Sequence, residues 1–115
     1  MTNPYELTAT DAIKLIRNNK LSRYEWVQSC FERIREKEDL VRAWVYLDED
    51  RALEKAKQLD NENNESQLGI PFGIKDIIDA SNTPTGFGTN FYKNNTFLYL
   101  NSYMPKPNQL LKYSL

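Results

Sequence analysis

Gly69-Ile70-Pro71-Phe72-Gly73-Ile74-Lys75-Asp76-Ile77-Ile78-Asp79 sets one lysine inside an apolar run bounded by turn residues. A lysine held among Ile74, Ile77 and Ile78 loses hydration, and desolvation favours its neutral amine. A neutral amine is a base. The run from Ile70 to Ile78 predicts a strand, and Thr83-Pro84-Thr85-Gly86-Phe87-Gly88 after it predicts a loop. On a strand, Asp76 points to the face opposite Lys75, so it need not hold the lysine in its charged form.

Upstream of this phrase the pattern is helical. Thr8-Ala9-Thr10-Asp11 opens a short helix with Ala12, Ile13, Leu15 and Ile16 at helical spacing, and Asn18-Asn19 ends it. Ser22-Arg23-Tyr24-Glu25 has the form of a capping box and predicts the start of a second helix. Trp26, Val27, Cys30, Phe31 and Ile34 form its apolar stripe, which places Cys30 in the interior, while Glu32, Arg33, Arg35, Glu36 and Lys37 face water. Val41-Arg42-Ala43-Trp44-Val45-Tyr46-Leu47 is rich in β-formers and predicts a strand. Asp48-Glu49-Asp50 suits the cap and first turn of a third helix with Ala52, Leu53, Ala56 and Leu59 inside. Those acids are a weaker candidate for a cation site. Asp60 to Gln67 reads as a polar loop.

Composition narrows the chemistry further. The 115 residues fit one small domain or a piece of a larger one. A net charge of −1 leaves no basic footprint for nucleic acid. Histidine is absent, which removes Ser-His, Cys-His and His-ligated zinc sites, and the single cysteine cannot form an internal disulfide. No metal or cofactor is expected. Met1-Thr2-Asn3-Pro4-Tyr5-Glu6 lacks the pattern of a targeting peptide, and no apolar run approaches the roughly 18 residues that span a bilayer. The expectation is a cytoplasmic protein that contacts neither membrane nor nucleic acid.

The character of the sequence changes near Phe91. All 16 acids precede residue 80, whereas residues 91–115 carry three lysines, no acid and four of the seven tyrosines. Pro105 and Pro107 interrupt any element there. Two parts are expected, residues 1–90 and a tail, residues 91–115, that is weakly ordered, irregular or unrelated.

Residues from about 6 to 90 resemble the N-terminal portion of the amidase signature family. The resemblance is collinear through Glu6-Leu7-Thr8-Ala9, Leu21-Ser22, Ala43-Trp44-Val45, Arg51-Ala52-Leu53 and, most specifically, Gly69 to Asp76. Asp79-Ala80, Thr83-Pro84-Thr85 and Gly86-Phe87-Gly88-Thr89 follow in the family's order, closer to general amidases than to the family's amidotransferase members. The implied fold is α/β: two or three helices plus two strands of a larger mixed sheet, as a truncated part of the family's domain.

The resemblance implies hydrolysis of a carboxylic amide C–N bond by a Ser-Ser-Lys triad, with Lys75 in the position of the base. A hydroxyl becomes an effective nucleophile only when a nearby base takes its proton. The family's two serines belong to a glycine- and serine-rich segment that is absent from this sequence. Ser22 is a cap, Ser29 lies within a helix, Ser66 falls in the polar loop, and Ser81, Ser102 and Ser114 lack glycine-rich surroundings. The expectation is a truncated or frame-shifted amidase fragment, inactive alone, whose substrate class is a small-molecule amide. The alternative is a non-enzymatic helical interaction module that self-associates or binds a full-length relative or complementary fragment. An intact small amidase is the third reading. Gly86-Phe87-Gly88 lacks the third glycine of a phosphate cradle and reads as a turn.

Overall fold

In the computed structural model, residues 2–62, 67–80, 83–92 and 110–113 are described. After a 3-10 turn at Pro4–Glu6 the elements are α1 (Ala9–Arg17), α2 (Arg23–Val41), β1 (Trp44–Tyr46), α3 (Glu49–Glu62), β2 (Phe72–Lys75) and β3 (Leu110–Tyr113). This is a mixed α/β arrangement of three helices and a small sheet.

Each helix begins where its polar residues can satisfy orphan backbone N–H groups. The Thr8 hydroxyl accepts from Asp11 N–H at 3.1 Å, and Asn18 and Asn19 end α1, with Asn19 in the left-handed region. For α2, Ser22 Oγ accepts from Glu25 N–H at 3.0 Å, and Glu25 accepts from Ser22 N–H at 2.8 Å. The expected capping box is complete. Asp48 accepts from Arg51 N–H at 3.1 Å to cap α3. The 48–50 acids therefore serve the helix start.

Two helix ends depart from expectation. α2 continues through Val41 and stops at Arg42, whose φ of 50° turns the chain out of the helix while its N–H donates to Glu38 O at 2.8 Å. The Glu38 carboxylate then accepts from Trp44 N–H at 2.9 Å. The strand read from Val41 onward is thus confined to Trp44–Tyr46, because continued helical hydrogen bonding outweighs the β-propensity of Val41. α3 likewise runs through Glu62, so Asp60 belongs to a helix and not to the polar loop.

Helices α2 and α3 share the main core. Val27 and Phe31 pack on Ala52 and Ala56, with Ile34, Trp44 and Leu53 at the margin. The alanines let the two helices approach closely around the Phe31 ring. Trp26 and Leu59 are also buried, whereas Cys30 is half-buried. Burial still pushes the Cys30 thiol up from its ordinary value, which disfavours the reactive thiolate. The 3-10 turn docks on α2 through Tyr5 N–H donating to Ser29 Oγ at 3.2 Å, with the Arg33 guanidinium 5.2 Å from the Tyr5 ring centroid.

Arg23 joins the start of α2 to the end of α3. It is buried. Asp60 Oδ1 accepts from Arg23 N–H at 2.9 Å and Oδ2 from Tyr24 N–H at 3.0 Å. The Arg23 guanidinium lies 3.4 Å from Asp60 and donates to the carbonyls of Leu68 and Gln67 at 3.2 and 3.3 Å. This positions the segment that leads into β2.

Gly69 is required at that point. Its φ is +69°, and a Cβ there would sit 2.6 Å from Arg23 Cδ. Gly69→Ala combines a left-handed backbone penalty with overpacking against a held side chain, so a loss of about 3 kcal/mol is expected in urea unfolding. An unchanged midpoint would show that Arg23 can move aside at little cost.

The sheet has the order β1-β3-β2, with β3 antiparallel to β1 and parallel to β2. Phe72 to Lys75 pair in register with Leu110 to Tyr113. The expectation of an irregular tail is corrected over Leu110–Tyr113. Those residues lie beyond both prolines, keep every backbone N–H, and fill the gap between two short strands that do not pair with each other directly. The rest of the tail beyond Tyr92 lies outside the described residues. Among the described residues the sheet has three strands, so the larger mixed sheet is not seen there.

Candidate functional site around Lys75

Lys75 is the last residue of β2. Pro71, which has no N–H to donate, immediately precedes the strand. At the other end Ile78 N–H donates to Lys75 O at 3.0 Å, turning the chain directly after the lysine. The extended run read from Ile70 to Ile78 is therefore four residues long, Phe72–Lys75.

The lysine side chain is half-buried. Of the three isoleucines expected around it, Ile74 is buried while Ile77 and Ile78 are exposed. The enclosure is one-sided because the turn carries Ile77 and Ile78 away from the faces of β2. Ile74 packs with Ala80, which forms a second, smaller core cluster.

Asp76 is committed elsewhere. It is 5% exposed, and its Oδ1 accepts from Gly86 N–H at 3.0 Å while Oδ2 accepts from Gly88 N–H at 3.4 Å. The Asp76 carbonyl accepts from Phe87 N–H at 3.1 Å. Three successive amides thus converge on one residue. Phe87 and Gly88 have φ of 52° and 73°, the left-handed geometry that turns neighbouring N–H groups to one side. Gly86-Phe87-Gly88 is a turn, as its sequence suggested, and its amides are filled by the protein's own carboxylate. The sequence signalled the turn itself, through two glycines separated by one residue.

Around the same turn lie further polar groups. The Thr83 hydroxyl donates to Ala80 O at 3.0 Å, and Thr83 and Thr85 are both buried. Asp79 Oδ1 is buried with no hydrogen-bond partner among the described residues. A cavity of about 290 Å³ opens between β1 and the turn, lined by Val45, Tyr46, Asp76, Pro84, Gly86 and Thr89 among others. The Tyr46 hydroxyl at its edge donates to Asp48 at 3.3 Å, and burial, followed by the Asp48 charge, pushes that phenol up from its ordinary value. Tyr46 therefore serves this cavity as a neutral hydroxyl.

Both described serines are engaged, Ser22 in the expected cap and Ser29 in a contact that the sequence did not indicate. Ser22 caps α2 and Ser29 accepts from Tyr5, whereas Ser66, Ser81, Ser102 and Ser114 lie outside the described residues. Among the described residues no group of Cys, Asp and Glu is arranged to hold a metal ion, and no helix is long and apolar enough to cross a membrane.

Comparison with known proteins gives this geometry a context. The family described as Amidase matches residues 25–99. The A subunit of glutamyl-tRNA(Gln) amidotransferase from Desulfotalea psychrophila is 36% identical over 89 residues, 74% of this chain and 18% of the relative. The protein of that name from Fusobacterium nucleatum is 40% identical over 81 residues, 66% of this chain and 17% of the relative. That of Staphylococcus haemolyticus is 30% identical over 98 residues, 81% of this chain and 20% of the relative. The chain spans about a fifth of the length of these curated relatives. Their name is that of an amidotransferase component, so they lend no support to the finer leaning toward general amidases.

Proposed function

The chain belongs to the amidase family, and from that premise we propose that it supplies the lysine end of a Ser-Ser-Lys amide-cleaving centre. The observation that carries this reading is Lys75 itself. It stands in the family phrase Gly69 to Asp76, within the matched residues, at the end of a strand that pairs with β3 and is closed by the Ile78 N–H to Lys75 O bond.

In this reading the Lys75 amine takes a proton from a bridging serine, which takes one from the nucleophilic serine. The nucleophile's Oγ attacks the carbonyl carbon of a carboxylic amide. The C–N bond then breaks and the departing nitrogen receives the proton. Both serines come from outside these 115 residues, so the chain alone does not hydrolyse amides. They sit in further polypeptide or in a complementary chain that also extends the small sheet into the family's larger one. Residues 1–90 form the amidase-like part in this reading, on the charge break near Phe91, and the family match itself runs on to residue 99. The tail after that part is of different character and lends β3.

A second reading, an interaction module, is favoured by one observation. Val45, Phe72, Ile77, Ile78, Phe87 and Phe91 are all exposed, and Phe91 and Phe87 stack edge-on against Tyr92 with ring centroids 4.9 and 5.6 Å away. Exposed apolar groups of this number suit a protein partner. The relatives, by name, are themselves components of an assembly.

Both readings meet in one experiment. The purified chain is mixed with the remaining portion of one of these relatives, beginning where the matched segment ends. The expected result is no amide hydrolysis by the chain alone, and a complex of the two pieces that hydrolyses a simple carboxylic amide. Hydrolysis by the chain alone contradicts the proposal that the serines come from elsewhere. Failure of the pieces to associate contradicts the complementary-chain reading.

A further inference from the structure

We infer that Asp76 is a positioning residue for Lys75: its carboxylate, seated in the amides of the Gly86–Gly88 turn, sets the backbone from which the lysine projects. The inference rests on the reading of Lys75 as the base.

The geometry is specific. Asp76 follows Lys75 directly, so any rotation of the peptide that joins them moves the lysine. That residue is held by three hydrogen bonds to one turn, two through its side chain and one through its carbonyl. The Lys75 carbonyl is held by Ile78 N–H and its strand by β3. Of these anchors, Asp76 is the one that works through a side chain, and charged acceptors make the stronger hydrogen bonds.

The turn is shaped for the carboxylate. A Cβ on Gly86 would lie 3.0 Å from Asp76 Oδ2. Phe87 adopts a left-handed φ that a residue with a side chain enters at a cost. Such a conformation persists when its surroundings over-determine it, and here the converging amides do so. The division of labour is clear from burial as well. Asp76 is buried on the turn, leaving Lys75 half-exposed beside it.

The test is competitive acetylation of the full chain with limiting acetic anhydride, read by mass spectrometry as the ratio of modification at Lys75 to that at Lys57 on α3. Asp76→Asn leaves one oxygen for two N–H donors, and Gly86→Ala presses on the same contact from the turn. Both variants are expected to change the ratio several-fold. Thr8→Ala, which removes the N-cap of α1, is expected to leave it unchanged and thereby separates positioning from loss of stability. A ratio equal to that of the parent chain in both Asp76→Asn and Gly86→Ala overturns the inference, whether or not hydrogen exchange at Gly86 and Gly88 increases. Failure of the base reading is distinguishable. It shows as hydrolysis retained by Lys75→Ala in the reconstituted complex, a result independent of the acetylation ratio.

Discussion

Asp60→Ala is expected to lower stability by about 3–5 kcal/mol, the usual loss when one partner of a buried ion pair is removed and the other remains. Two effects coincide at this residue. From the last turn of α3 the carboxylate accepts from Arg23 and Tyr24 N–H at the start of α2 and pairs with the Arg23 guanidinium. Removing it leaves a buried cation whose remaining acceptors among the described residues are the Gln67 and Leu68 carbonyls. Small domains are stable by only about 5–15 kcal/mol, so the substitution is expected to take away much of the total.

Asp60→Asn provides the comparison. Its amide oxygen can still accept from a backbone N–H, so the capping contribution partly survives while the charge pairing is lost. Urea midpoints should therefore fall in the order parent, Asn, Ala. Equal midpoints for all three would mean that Arg23 is satisfied without Asp60 and that this junction does not hold α2 and α3 together.

The contrast between Asp60 and Ser22 explains how much of the fold could be read in advance. Ser22 and its partner Glu25 lie three residues apart, and every bond they make is local, so the sequence carries the whole signal. Thr8 and Asp48 were legible for the same reason. Asp60 caps a helix that begins 37 residues earlier, and no local pattern marks an acid for that purpose. It therefore read as part of a polar loop. β3 was hidden in a similar way. A strand's partner is fixed by what lies beside it in space, and Leu110-Leu111-Lys112-Tyr113 has little alternation of its own.

The candidate site divides along the same line. Lys75 stood out because its whole phrase is contiguous, and the turn at Gly86-Phe87-Gly88 was legible because glycine pairs permit left-handed backbone. What joins them was not legible. The convergence of three amides on Asp76 depends on a ten-residue excursion that brings the turn back to the end of β2. The partial exposure of Lys75 was also hidden, since it follows from where β2 stops and not from which residues flank the lysine.

The second large effect concerns Lys75. General base catalysis by a positioned side chain contributes typically about 10²–10⁴-fold to a rate. Removing the amine should cost at least that much wherever the serines are present, because no histidine exists in this chain to replace it. The substitution should have little effect on folding, as Lys75 is half-buried and its strand is held through the backbone. Lys75→Arg puts in place of the amine a guanidinium that holds its proton too tightly to act as a base.

The most direct measurement is amide hydrolysis by the complex reconstituted from this chain and a relative's remaining portion, comparing the parent chain with Lys75→Ala and Lys75→Arg. The account predicts that all three chains associate and that only the parent restores hydrolysis. Full hydrolysis by the Lys75→Ala complex would contradict it.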